Sequence, residues 1–449
     1  MGRGDTPPYA KLTFRVSTSH IPIPPQPYLC LLSGFASSMA YIFRLLALYT
    51  TLITFMAGLS LAQRPFFPRA IILPVTKDLP TSQYVTQIQI GHSNNFDPLK
   101  LVVDLGGPFL WADSASSSQG SILCGSLKCS MANPSGGCTS KEICGLLFEN
   151  PISKMAGSGI LKEDSIALEF IADEPKASSF LSYVPDFLFS SVPGLFLQGL
   201  GSGVNGVLGL GNSRVSLTSQ LANAYGGIPR KFSLCLSSSN GAIISGDILQ
   251  LNDDVSRSMV YTPLVSGQNG LEYYINVKSI KINDKRLDLN GSLLFLDEEG
   301  VGGGTKISTV VPYTTMKTKI YNEFLESFLE AAAASMLTRV DSVGPFEVCF
   351  KDVVGWDAPK VEFVLQSEMV KWRVMNAMVK MSSDDGVMCL GILDGGQAQI
   401  ASIVIGGYQL EDNLLDFNLG TSMLGFTPLM PETTCSHFSG LFRDDRGSV

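Results

Sequence analysis

The chain has 449 residues, of which 45% are hydrophobic and only 16% are charged, and its formal net charge is −8. This composition is typical of a protein with a large buried core and excludes a disordered chain. The sequence contains no Lys and Arg cluster interleaved with aromatic residues, so it does not favour nucleic-acid binding. The 44 Gly, 24 Pro and many short Val, Ile and Leu runs predict an all-β fold.

The N-terminal segment differs from the rest of the chain. Residues 1–38 show neither strand nor helix periodicity, and we expect them to be an upstream extension of the gene model. Residues 39–62 have the parts of a secretory signal peptide: Arg44, an apolar stretch over 45–56, and the small-residue site Ser60-Leu61-Ala62. A membrane anchor is the alternative, since residues 45–62 have about the minimum length for a span. We favour a cleaved signal and a mature chain that begins at Gln63.

The first half of the remaining chain predicts two strands, a turn, a further strand and a helix. Residues 83–95 alternate apolar and polar side chains, as a half-buried strand does. The stretch "KLVVDLGG" predicts a buried strand that delivers Asp104 onto a glycine turn. "GSGVNG" (201–206) matches a G-x-G-x-x-G motif, but we expect only a loop because no strand–helix frame surrounds it. The strand Val207-Leu208-Gly209 follows, and Ser216 and Gly226 bound a predicted helix over 215–226.

The second half repeats this order. Residues 273–283 alternate, "GTKISTVVPYTTM" (304–316) predicts a buried strand and turn, and "SIVIGG" predicts the later strand. The longest helical pattern covers 314–336, with Ile320, Phe324 and Phe328 on one face. The interval from Asp104 to Gly209 is 105 residues, and that from Ser308 to Gly406 is 98 residues. This spacing predicts the internal duplication of a β-rich lobe.

Eight cysteines follow the predicted signal peptide, and an even number in a secreted chain predicts four disulfides. They are Cys124, Cys129, Cys138, Cys144, Cys235, Cys349, Cys389 and Cys435. A zinc site is the weaker alternative because the cysteine spacings are loose, so we expect neither a metal nor another cofactor. Asn290 begins the sequon Asn-Gly-Ser, and we expect N-glycosylation on a surface loop.

Two lobes that each carry an Asp-Thr-Gly-like triplet and a later apolar-apolar-Gly strand resemble pepsin-type aspartic proteases. "LVVDLGGPFLWAD", "GVLGLGNSRVSLTSQLA", "GGTKISTVVPYTTM" and "SIVIGGYQLEDNLLDFNLGTSMLGF" resemble, more narrowly, the plant extracellular branch. That branch includes xylanase inhibitors, xyloglucan-endoglucanase inhibitors, extracellular dermal glycoprotein, gamma-conglutin and basic seven-S globulin. The resemblance covers roughly residues 66–443. It implies an all-β, bilobal pepsin-like fold with two duplicated barrel-like lobes, over 63–255 and 256–449, and few short helices.

The two triplets indicate that the chain is not an active protease. The first is Asp104-Leu105-Gly106, and the second reads Ser308-Thr309-Val310. An aspartic dyad works because two adjacent carboxylates share one proton, and a serine hydroxyl cannot take over that role. The candidate flap, residues 150–168, also contains no Tyr. We therefore expect Asp104 and Ser308 to be remnant positions, with Asp104 accepting hydrogen bonds from its own turn.

The resemblance implies a secreted plant protein of the extracellular space and cell wall, with no nucleic-acid partner and no membrane association after signal cleavage. The expected function is inhibition of microbial cell-wall-degrading glycoside hydrolases, xylanases or xyloglucan endoglucanases, in plant defence. An active aspartic endopeptidase and a storage or receptor-binding globulin of the gamma-conglutin type are the alternatives. Tissue abundance and a pull-down experiment would separate an inhibitor from a storage protein.

The expected partner-binding loop precedes the "SIVIGG" strand. In endoglucanase-inhibiting relatives an Arg commonly occupies the place of Ile400, where its guanidinium can pair with the carboxylates of a glycosidase cleft. This chain has neither Arg nor Lys in residues 394–407, which predicts a different specificity. The loop consists of Asp394, Gly395, Gly396, Gln397, Ala398, Gln399 and Ile400.

The resemblance also implies how the cysteines pair. Cys349 is expected to bond Cys389, Cys235 is expected to bond Cys435, and Cys124, Cys129, Cys138 and Cys144 are expected to pair among themselves. Many relatives have two further cysteines at the places of Ser114 and of Ser190-Ser191. We therefore expect this chain to lack one disulfide that those relatives form.

Overall fold

A computed structural model describes residues 41–54, 70–92, 95–113, 120–133, 137–139, 142–171, 180–246, 253–351, 358–381, 386–429 and 434–436. The chain divides into two units, residues 1–66 and 67–449. In the first unit the described residues form one helix, α1 (41–54). The predicted extension 1–38, the site Ser60-Leu61-Ala62 and the predicted start Gln63 lie outside the described residues. Across the described ranges, no helix is both long and apolar enough to cross a membrane.

The second unit is built almost entirely from strands, which fall into a first and a second half. The strands of the first half are β1 (Ala70–Asp78), β2 (Gln83–His92), β3 (Asn95–Asp104), β4 (Trp111–Ala112), β5 (Gly145–Glu149), β6 (Ala156–Ile171), β7 (Phe180–Ser191), β8 (Gly206–Gly209), β9 (Lys231–Cys235) and β10 (Asn240–Gly246). The helices here are α2 (Leu127–Ala132), α3 (Leu217–Tyr225) and a 3-10 turn (Gly194–Leu197).

The second half continues with short strands and the longest helix. Its strands are β11 (Val260–Ser266), β12 (Tyr273–Ile275), β13 (Ser279–Ile282), β14 (Lys285–Arg286), β15 (Thr305–Ile307), β16 (Thr314–Met316), β17 (Arg339–Val340), β18 (Cys349–Lys351), β19 (Val361–Val364), β20 (Lys371–Val374), β21 (Met378–Lys380), β22 (Val387–Leu390), β23 (Ile392–Asp394), β24 (Ile403–Ile405), β25 (Asn413–Asn418) and β26 (Met423–Pro428). Its helices are α4 (Asp253–Ser258), α5 (Thr318–Ala334), α6 (Gly407–Leu410) and a 3-10 turn (Gly291–Leu293).

The same four-strand arrangement occurs in both halves. In the first, β3 runs parallel to β8, and β4 pairs antiparallel with β8 and parallel with β7. In the second, β15 runs parallel to β24, and β16 pairs antiparallel with β24 and parallel with β23. The fold is therefore all-β and consists of two duplicated lobes, as the sequence spacing predicts.

A six-stranded antiparallel sheet joins the lobes in the order β1-β10-β9-β25-β26-β11. Strands from both ends of the second unit therefore share one layer. The charges in this sheet are paired: Lys231 Nζ lies 3.0 Å from Asp416 Oδ2, and Asp416 also accepts a hydrogen bond from Ser233 Oγ at 2.7 Å. The predicted boundary between residues 255 and 256 falls inside α4.

Local signals in the sequence explain α3. Ser216 has extended dihedral angles at the N-cap, and Gly226 has a φ of 59° at the C-cap, a left-handed conformation that glycine adopts without strain. Leu217 and Leu221 are buried, as their spacing predicts.

Two predicted elements of the second lobe are wrong in their extent. The helix predicted over 314–336 begins only at Thr318, because residues 314–316 form β16 between β23 and β24. Its predicted apolar face, Ile320, Phe324 and Phe328, is buried. The alternating stretch 273–283 is two strands, since β12 pairs with β11 and β15 whereas β13 pairs with β14 and β19. The chain changes sheet between them, which an alternating pattern does not reveal.

Candidate functional site

Asp104 is the last residue of β3 and lies opposite Gly209 of β8. Its side chain is 8% exposed, and its Oδ1 accepts a hydrogen bond from Gly106 N at 2.8 Å. Burial raises the pKa of Asp104, and the hydrogen bond from Gly106 and the charge of Lys306 oppose that shift. A side chain on Gly107 would crowd this turn, because a Cβ there would lie 3.1 Å from Asp104 Oδ2 and 3.0 Å from Gly209 Cα.

Ser308 has the corresponding place in the second lobe. It follows β15 directly, its N–H donates to Ile405 O at 3.0 Å, and the residue is 3% exposed. Its hydroxyl accepts a hydrogen bond from Val311 N at 3.3 Å. The Ser308 hydroxyl therefore accepts a hydrogen bond from the backbone of its own turn, as the Asp104 carboxylate does in the first lobe.

Thr309 connects the two turns. Its hydroxyl donates to Val103 O at 2.7 Å and accepts from Leu105 N at 3.2 Å, so it binds the backbone on both sides of Asp104. The equivalent residue of the first triplet is Leu105, whose side chain has no hydroxyl and cannot form hydrogen bonds with the turn of the second lobe. Asp104 and Ser308 therefore lie in adjoining turns, which are connected by hydrogen bonds of the Thr309 hydroxyl. The first lobe contributes no equivalent side-chain bond in return.

Two further features occupy the surroundings of these turns. The half-buried Val310 packs against the first-lobe core cluster that contains Phe109 and Trp111.

The hairpin between β5 and β6 turns at residues 150–155, where Asn150 Oδ1 accepts hydrogen bonds from Ile152 N at 2.8 Å and Ser153 N at 3.1 Å. The predicted flap stretch therefore forms a hairpin, and Lys154 lies at its turn.

The predicted partner-binding loop, Asp394–Ile400, connects β23 to β24. Asp394 Oδ1 accepts hydrogen bonds from Thr318 Oγ1 at 2.9 Å and Gly396 N at 2.8 Å, and Gln399 Nε2 donates to Ala401 O at 2.9 Å. These bonds hold the loop, while the Ile400 side chain is 64% exposed. Ile400 O accepts from Gly303 N at 2.9 Å, so the 300–303 turn supports the same surface.

The eight predicted cysteines form four disulfides. Cys235 bonds Cys435 and Cys349 bonds Cys389, and the four first-lobe cysteines form Cys124–Cys138 and Cys129–Cys144. Among the described residues, the buried Ser190 hydroxyl has no hydrogen-bond partner. Its proposed former neighbour Ser114 lies outside the described residues. Asn290 is exposed at the start of a 3-10 turn, and its Oδ1 accepts hydrogen bonds from Ser292 N and Oγ at 3.2 and 3.0 Å.

Comparison with protein families assigns both lobes. Residues 84–247 match the model "Xylanase inhibitor N-terminal", and residues 272–428 match "Xylanase inhibitor C-terminal". The chain belongs to the xylanase-inhibitor family. This family has the pepsin-like fold, which agrees with the duplicated lobes and the paired turns around Asp104.

Relatives of known sequence in the xylanase-inhibitor family carry different names. "Probable aspartic proteinase GIP2" of Nicotiana benthamiana is 40% identical over 418 residues, which cover 84% of this chain and 93% of the relative. "Gamma conglutin 1" of Prunus dulcis is 36% identical over 405 residues, which cover 84% of this chain and 90% of the relative. "Basic 7S globulin" of Glycine max is 31% identical over 415 residues, covering 87% and 95%.

Solved structures of similar proteins confirm the fold. The structure titled "Crystal structure of edgp" superposes with a TM-score of 0.75 at 39% identity, covering 84% of this chain and 99% of that one. The structure of conglutin gamma, described as a unique basic 7S globulin from lupine seeds, gives a TM-score of 0.72 at 34% identity, covering 82% and 98%.

An ion pair that the sequence patterns do not predict lies beside Asp104. Lys306 of β15 pairs with Glu272, and a Cβ placed on Gly106 would be 3.5 Å from both Glu272 Oε1 and Asp104 Oδ1. Asp104 Oδ1 and Glu272 Oε1 therefore lie no more than twice 3.5 Å apart. The one available signal was Lys306, a charge in a buried strand two residues before Ser308.

Proposed function

We propose that this chain is a secreted, proteolytically inactive member of its family that acts by binding another protein. The single observation that carries this proposal is Ser308, which stands where the second catalytic carboxylate of a pepsin-like dyad would lie. Hydrolysis by a dyad requires one protonated and one ionised carboxylate in contact. Asp104 is held by its own turn, and the Ser308 hydroxyl by Val311 N–H, which supports two structural rather than catalytic roles.

The neighbouring Glu272 does not restore a dyad. Its Oε1 accepts from Lys306 Nζ, and its Oε2 accepts from the Tyr274 hydroxyl at 3.1 Å. Both oxygens of Glu272 are therefore engaged by donors other than Asp104. The active aspartic endopeptidase therefore remains only as the alternative suggested by relatives named probable aspartic proteinases.

The proposed partner is a microbial cell-wall-degrading glycoside hydrolase, a xylanase or an endoglucanase, and the proposed binding surface is the loop Asp394–Ile400. The family name and the exposed apolar tip of this loop support the proposal. Because the loop presents Ile400 and no cation, it cannot pair with the two carboxylates of a glycosidase cleft. We therefore propose apolar contacts at the rim of the target instead, and weak inhibition of enzymes that require an inserted Arg.

A binding screen of the secreted protein against several xylanase and endoglucanase families tests this function. Ile400→Asp should weaken the binding of any target at least tenfold, because it buries a charge without a partner. Met369→Asp is the matched control, since Met369 is an apolar side chain of the same lobe with 90% exposure. Binding to none of these enzymes, or equal losses in both variants, would contradict the proposed partner and loop.

We also propose the processing that the sequence predicts: signal cleavage after Ala62, export to the cell wall, and a glycan on Asn290. The exposure of Asn290 and the four disulfides support an oxidising, extracellular location. N-terminal sequencing of the secreted protein and a mass shift after glycosidase treatment test these points.

A storage or receptor-binding globulin is the second candidate function. It is favoured by relatives named gamma conglutin and basic 7S globulin at 31–36% identity. Accumulation of the protein in seeds, together with a negative glycoside hydrolase screen, would favour this function over the inhibitor.

A further inference from the structure

A cavity of about 560 Å³ lies between the first-lobe hairpin and the loops of the second lobe. Lys154 lines it from the hairpin turn, and the loops 267–271 and 300–301 line it from the other lobe. Its apolar wall includes Tyr274, Val311 and Val404. The volume is in the range of pockets that hold a small molecule rather than a polypeptide domain.

The polar wall of this cavity is the Lys306–Glu272 pair. Lys306 and Glu272 are 25% and 38% exposed, so the pair is open to a ligand on one side. Tyr274 donates its hydroxyl to Glu272 Oε2, and burial raises the pKa of this phenol, which keeps it a donor. An ammonium has three N–H groups and a carboxylate has about four acceptor sites, so both groups retain hydrogen-bonding capacity.

A donor and an acceptor side by side suit one ligand chemistry in particular. A sugar hydroxyl accepts from an ammonium and donates to a carboxylate at the same time, and vicinal hydroxyls can engage both groups of the pair. Lys154 also lines the cavity but pairs with Glu149 at 3.5 Å, so Lys306 and Glu272 set the charge preference. An anionic ligand would meet Glu272 and a cationic ligand would meet Lys306, whereas a neutral ligand opposes neither charge. The Thr315 hydroxyl adds a further polar group, and the apolar wall fits the C–H face of a sugar ring.

We propose that this cavity is a binding site for a neutral saccharide of one or two rings, held by Lys306 and Glu272 against Tyr274. The site uses residues of both lobes, since Lys154 lines it from the first lobe. Gln399 and Ile400 of the proposed partner-binding loop also line the cavity. The inference is still tested separately from glycoside hydrolase binding, because its ligand is a small molecule held by Lys306 and Glu272.

Calorimetric titration of the purified full-length secreted protein with cellobiose and with xylobiose tests the proposal. We expect saturable binding with a Kd in the millimolar range for at least one of them. Lys306→Met and Glu272→Gln should each weaken it at least tenfold. Glucuronate should bind at least tenfold more weakly than the better disaccharide, because its carboxylate faces Glu272.

Lys285→Met and Glu330→Gln are the matched controls, since they alter a fully formed but exposed ion pair of the same lobe at 2.8 Å. Circular dichroism and thermal unfolding establish that each variant is folded. Thr315→Val, which removes only a hydroxyl from the wall, should reduce affinity severalfold and serves if a charge variant does not fold. Absence of saturable binding to either disaccharide, equal affinity in the pair variants, or tighter binding of glucuronate would overturn the proposal.

Discussion

Replacement of Glu411 by Ala is expected to lower the free energy of unfolding by about 3–5 kcal/mol, because it leaves a buried lysine without its counter-charge. Lys77 Nζ lies 2.8 Å from Glu411 Oε1, and the two side chains are only 10% and 4% exposed. The Tyr84 hydroxyl donates to the same oxygen at 2.8 Å. Lys77 and Tyr84 belong to β1 and β2, whereas Glu411 follows α6, so the cluster joins the lobes.

Two further variants separate the contributions within this cluster. Tyr84→Phe removes one hydrogen bond to a charged group, and we expect a loss of about 1.5–3 kcal/mol. The double variant Lys77→Met/Glu411→Leu removes both charges and fills their volume with apolar atoms. It should be more stable than Glu411→Ala, because no uncompensated charge stays buried.

Urea unfolding of the disulfide-intact protein, followed by tryptophan fluorescence at about pH 7, measures these differences. Glu330→Ala is the control, because the Lys285–Glu330 pair has the same 2.8 Å separation but side chains that are 71% and 60% exposed. No measurable change is expected there. If Glu411→Ala behaves like Glu330→Ala, or if the double variant is less stable than Glu411→Ala, the buried pair does not have the stabilising role assigned to it.

Three other predictions test the remnant site and the disulfides. The protein should not cleave denatured haemoglobin or casein between about pH 2 and 7, and Ser308→Asp alone should not restore cleavage because Val310 occupies the turn; pepstatin-sensitive cleavage would contradict this. Because burial raises the pKa of Asp104, the folded state keeps a proton that the unfolded chain releases, so this group's contribution to stability falls as pH rises from about 3.8 through the folded pKa. Asp104→Asn should therefore gain melting temperature relative to the wild type as pH increases from about 4 to 7, and a constant difference would argue against it. Loss of the Cys235–Cys435 disulfide, whose cysteines are 200 residues apart, should lower the free energy of unfolding by about 5 kcal/mol through loop entropy. The corresponding loss for Cys124–Cys138, which are 14 residues apart, is about 3 kcal/mol. Equal losses in denaturant unfolding would count against this difference.

The sequence by itself determined the features that depend on nearby residues or on residue identity. Gly226 ends α3 because a left-handed C-cap needs only a glycine, whereas Ser216 precedes the helix with extended dihedral angles and makes no side-chain capping hydrogen bond. The repeat of strand, turn and apolar-apolar-Gly strand predicted the duplicated lobes. The proposed loss of the second carboxylate likewise rests on which residue occupies position 308.

Only the tertiary structure decided which distant residues meet. The change of sheet between β12 and β13, the bonds of Thr309 across the lobes, the Lys77–Glu411 cluster and the Lys306–Glu272 pair all join segments far apart in the chain. Local periodicity reports which face of an element is buried, but not which element covers it. Long-range contacts are set by how distant segments pack within and between the lobes, and for that reason the cavity lined by Lys306 and Glu272 could not be predicted from the sequence.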